Sequence, residues 1–100
     1  MFFKALKENY QILEKYLDLY INNLRKNKSN LSNFRKINAC IGIFKELFSM
    51  QGWNSRIIND FENFLKEALN KKTIDETTIR RIKGFMNEIN KIIQGANIIP

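Results

Sequence analysis

Phe2–Lys26 (FFKALKENYQILEKYLDLYINNLRK) decides the fold class. Its residues Phe3, Leu6, Tyr10, Leu13, Leu17, Tyr20 and Leu24 are separated by 3, 4, 3, 4, 3 and 4 positions. Only a helix gathers that spacing onto one side, and period-two alternation fails throughout. Ile12, Tyr16, Leu19 and Ile21 widen the stripe. The first helix, over about 2–26, is therefore expected to bury more than a narrow seam.

The same pattern recurs downstream. Asn27–Asn33 (NKSNLSN) reads as a turn, because Asn and Ser side chains compete for backbone hydrogen bonds and prefer caps. A second helix over about 33–51 carries Phe34, Ile37, Ile41, Phe44 and Phe48, with Cys40, Ile43 and Leu47 beside them. Ala39 and Gly42 are small and one turn apart, which predicts a close helix crossing. Gly52 is placed to stop this helix. Asn54 or Ser55 caps a third helix over about 54–70, with Trp53 and Ile58 in hydrophobic-staple positions. Ile58, Phe61, Leu65 and Ala68 form its stripe. Thr73–Glu76 (TIDE) reads as a capping box. It opens a fourth helix over about 74–94 through Ile79, Ile82, Met86, Ile89 and Ile93, with Gly95 expected to end it. Four amphipathic helices with short connections predict an all-α, antiparallel up-down four-helix bundle, one domain over 1–100.

Composition narrows the chemistry. The 100 residues include no histidine, one cysteine and a net charge of +7. One cysteine makes no internal disulfide, which fits a reducing compartment. Lys4, Lys7 and Glu8 interrupt any apolar signal-like core at the start. Apolar runs fall far short of the roughly 20 residues that span a bilayer. The expectation is a cytoplasmic protein. Phe2 and Phe3 suit closing a bundle end better than grazing a membrane surface. Cys40, among apolar neighbours and with no histidine to pair with, reads as a buried hydrophobe rather than a nucleophile. Neither a catalytic acid–base pair nor a metal or cofactor site can be assembled from the remaining groups. A non-enzymatic protein is expected.

The charge is unevenly spread. No acidic residue lies between Asp18 and Glu46, whereas Arg25, Lys26, Lys28, Arg35 and Lys36 crowd one stretch, Arg25–Lys36 (RKNKSNLSNFRK). In an up-down bundle the first and third turns share an end. That adds Lys71 and Lys72 from the third turn, with Arg80 and Arg81 two turns down the fourth helix. The expectation is a cationic pole that attracts carboxylates or phosphates over a Debye length of about 8–10 Å.

Thr73–Ile82 (TIDETTIRRI) resembles the recognition helix of bacterial helix-turn-helix repressors, and Leu65–Leu69 (LKEAL) resembles the helix before it. The resemblance, over 65–82, implies that Thr77, Thr78, Arg80 and Arg81 face DNA. At a coarser level, a basic chain of about this length with four helices is similar to bacteriocin-immunity proteins and to small phage- or plasmid-encoded inhibitors. The first reading is therefore a binding protein that recognises an acidic protein partner through its basic end. The alternative is a nucleic-acid binder. Homo-oligomerisation remains open, because the stripe on the first helix is wide.

Overall fold

Apolar residues at helical spacing bury themselves only when each stripe meets another, and the chain does this by folding back three times. The computed structural model describes residues 2–26, 28–69 and 75–98. Four helices follow in order: α1 (Phe2–Arg25), α2 (Leu31–Met50), α3 (Arg56–Leu69) and α4 (Glu76–Ile98). Spatial neighbours are α1–α2, α2–α3, α3–α4 and α4–α1, a closed ring. This is an all-α, up-down four-helix bundle measuring 46 × 22 × 18 Å. At 1.5 Å per residue, the 24 residues of α1 run about 36 Å, most of the long axis.

The core is the predicted one along its centre. Leu6, Leu13, Leu17, Tyr20, Ile37, Cys40, Ile41, Phe44, Phe48, Ile58, Phe61, Leu65, Ile82, Met86, Ile89 and Ile93 form one cluster. Its flanks are narrower than predicted. Ile12, Leu19 and Ile43 are exposed, because they lie beyond the arc that the two neighbouring helices cover. Ala39 and Gly42 also differ from expectation. Both face solvent, and a Cβ on Gly42 would meet nothing within 4 Å, so among the described residues no helix crosses closely there.

The α2–α3 bend shows how local chemistry sets topology. Gly52 takes φ +67°, and the amides of Gly52 and Trp53 donate to the carbonyls of Ser49 and Phe48 at 3.0 and 2.9 Å. This is a Schellman ending, and its usual apolar contact is present. Trp53 meets Phe48 edge-to-face at 5.3 Å and Phe2 at 5.2 Å. Phe2 thus closes this pole, with the α1 start, the α2 end and the α3 start together. Asn54 Oδ1 accepts from the Arg56 amide at 2.9 Å, satisfying one of the free donors at the start of α3.

Helix boundaries moved where a polar side chain found a better partner. α2 starts at Leu31, earlier than the expected position 33. Asn30 precedes it, with Nδ2 donating to the Tyr20 carbonyl at 2.9 Å and Oδ1 accepting from Asn33 at 3.0 Å. α4 starts at Glu76 rather than 74, because Asp75 is its N-cap: Oδ1 accepts from the Thr78 amide at 2.8 Å. The Thr73 half of the expected capping box lies outside the described residues. α4 also continues through Gly95 to Ile98. Ala96 still packs on the core there, so packing holds the helix past the glycine.

Candidate functional site

The second pole gathers the α1 end, the α2 start and the α4 start. Arg25 reaches Glu76 at 3.5 Å, which places the last turn of α1 beside the first turn of α4. The Asn30–Tyr20 bond brings the α2 start to the same region. The Lys28 amide donates to the Asn23 carbonyl at 2.8 Å and folds the chain over the end of α1. Exposed ion pairs contribute under about 1 kcal/mol, so Arg25–Glu76 marks this geometry more than it holds it. The asparagine bonds and the core hold it.

Lys26, Lys28, Arg35, Lys36 and Arg80 are exposed at this pole or within about a turn and a half of it. Lys71 and Lys72, expected to join them, lie outside the described residues. Arg81 is exposed but not idle: its guanidinium lies 4.3 Å from the Phe64 ring centre, a cation–π contact across α3 and α4. Of the acids here, Glu76 is paired with Arg25 and Asp75 caps α4.

The helix-turn-helix reading requires a correction. Thr78 is buried rather than facing outward. Thr77 and Arg80 are exposed, and Arg81 lies against Phe64. The four residues the resemblance implies do not form one outward face.

Glu14 and Asp18 rim an open cleft of about 270 Å³ between α1 and α4, over Leu17, Ile21, Ile82 and Met86, with Lys83 on the far rim. Tyr10 also lines it. Burial, then the Glu14 charge, pushes the Tyr10 hydroxyl above its ordinary pKa. Sequence reasoning missed this cleft, because the α1–α4 register is invisible in either helix alone. Cys40 is buried as expected. Burial pushes its thiol up, with Lys36 pulling weakly the other way.

No family model, curated protein or solved structure matches this chain. Among the described residues, no helix is long and apolar enough to cross a membrane.

Proposed function

We propose that this chain is a non-enzymatic, cytoplasmic binding protein that recognises an acidic surface on a protein partner through its cationic pole. The observation that carries the reading is the Arg25–Glu76 contact, which marks the basic end of α1 as lying beside the start of α4. Lys26, Lys28, Lys36 and Arg80 stand exposed around it. Lys71 and Lys72, outside the described residues, are assigned to this surface on the sequence alone. Leu19, exposed on α1 about two turns before Lys26, offers an apolar anchor next to the charges. A cationic rim with an apolar anchor suits protein recognition, where charge steers the encounter and burial supplies affinity.

The test uses fluorescence anisotropy with labelled polyglutamate and with mixed-sequence duplex DNA across a salt series. Polyglutamate binding that is lost in the Lys26→Glu/Lys28→Glu/Lys36→Glu variant supports the reading. Tight DNA binding with a log–log salt slope near −0.9 per phosphate, weakened by Arg80→Ala, transfers the pole to nucleic acid. Binding to neither probe at physiological salt leaves the pole a solvated surface and removes both readings.

A further inference from the structure

Leu31, Arg35, Ala39, Gly42, Glu46 and Met50 recur every three or four residues along α2, so they form one line on its solvent side. All six are exposed. Leu31 and Met50, at 59% and 75%, are the two most exposed large hydrophobics among the described residues. Neither Arg35 nor Glu46 has an ion-pair partner among those residues. Gly42 serves no close approach among the described residues, although a glycine inside a helix costs about 1 kcal/mol relative to alanine.

The line is self-complementary. From either end it reads apolar, charged, small, small, charged, apolar, and its two charges have opposite sign. An antiparallel copy, related by a twofold axis between Ala39 and Gly42, sets Leu31 on Met50 of the partner subunit. It sets Arg35 on Glu46 of the partner subunit and Ala39 on Gly42 of the partner subunit. The symmetry then makes each contact twice. We propose that α2 pairs with α2 of a second copy of this chain in this antiparallel, twofold contact.

Three features favour that occupant. Small residues at the crossing let the axes approach to about 8 Å, the short end of helix packing. A shallow, open depression of about 610 Å³, lined in part by Leu31, Arg35, Lys36 and Ala39, lies where Met50 of the partner subunit arrives. Glu46 would repel a purely acidic peptide, an anionic membrane or nucleic acid, whereas the reversed copy matches both charges. A single helix face falls below the roughly 800 Å² per partner of a standard interface, so the dimer is weak. Antiparallel pairing also places the two cationic poles at opposite ends; it covers Arg35 and the side of Lys36 but leaves Lys26, Lys28 and Arg80 for the partner proposed above, and does not depend on that reading.

Sedimentation equilibrium of the full chain from micromolar to millimolar concentration, near 0.15 M salt, tests this. A monomer–dimer equilibrium is expected. Arg35→Glu and Glu46→Arg should each raise the dissociation constant at least about tenfold, because each sets like charges opposite one another twice. The R35E/E46R double variant should recover most of that loss. Gly42→Leu should abolish the dimer while circular dichroism shows an unchanged helix content. A wild type that stays monomeric throughout overturns the proposal, as does a double variant no better than either single change. So does Arg35-dependent binding to phosphatidylserine vesicles or duplex DNA by a chain that does not self-associate.

Discussion

The side-chain amide of Asn9 donates a 2.9 Å hydrogen bond to the backbone carbonyl of Cys40, and both residues are buried. This bond ties the first half of α1 to the middle of α2. With the Asn30–Tyr20 bond near the other end, it sets the antiparallel register of the two helices. A core of interchangeable Leu and Ile side chains tolerates sliding, whereas a buried amide with one partner does not.

Asn9→Ala should therefore destabilise the bundle by roughly 1–3 kcal/mol, from the lost bond and the space left behind. Asn9→Asp should be worse, since a carboxylate cannot donate and would face a carbonyl oxygen. Urea unfolding followed by circular dichroism measures both. A neutral Asn9→Ala would show that the apolar core sets the register unaided.

Phe48 stands between Phe44, at 6.2 Å, and Trp53, at 5.3 Å, and is fully buried. Phe48→Ala should cost about 3–5 kcal/mol, a large part of the roughly 5–15 kcal/mol typical of a domain. The emission of Trp53, the chain's single tryptophan, should shift to the red as its packing partner disappears.

The glycines should separate by conformation. Gly52→Ala forces a side chain into φ +67° and should cost about 1–2 kcal/mol. Gly84 lies in α4 with open space where a Cβ would go, so Gly84→Ala should stabilise by about 0.5–1 kcal/mol. Thermal melts of the two variants should move in opposite directions.

Lys45 reaches Glu62 at 2.7 Å across α2 and α3, and Glu62 is mostly covered. Lys66 approaches the same carboxylate at 3.9 Å. Glu62→Gln should lower stability by about 1 kcal/mol, more than an exposed pair would. Raising salt should shrink the difference between the two proteins, as judged by their urea midpoints.

Alkaline pH should loosen the fold. Burial raises the pKa of Cys40 above its ordinary 9.0 and that of Tyr20 above 10.0; Tyr10 is raised by burial and then by Glu14. Each group holds its proton longer when folded than when unfolded. Their contribution is fully present below about pH 9 and is lost as pH rises through the folded-state values. Urea midpoints should fall above that pH, and Cys40→Ser should remove part of the slope. An unchanged slope in that variant would assign the effect to the tyrosines.

The helical periodicity of Phe3–Leu24 and Ile79–Ile93 was legible because a 3, 4 spacing has one geometric solution. Gly52 was legible for a similar reason, since a positive φ at a helix end strongly favours glycine. Buried Asn9 was not, because nothing in its local pattern separates a core amide from a surface one. Nor was the exposure of Ala39, Gly42 and Ile43, which depends on how wide an arc the neighbouring helices cover. The cationic cluster Arg25–Lys36 could be read directly, and the up-down topology expected from four stripes already put Arg80 at its end; the Arg25–Glu76 contact brings α1 and α4 together there.

Local chemistry in the chain determined four helices, their approximate ends and the sign of the charge at one bend, since periodicity, caps and turn residues act within a few positions. Tertiary packing alone decided which flank of each stripe stayed wet and which acids turned toward α4. Those outcomes depend on contacts between residues tens of positions apart, which only the closed ring of helices brings together.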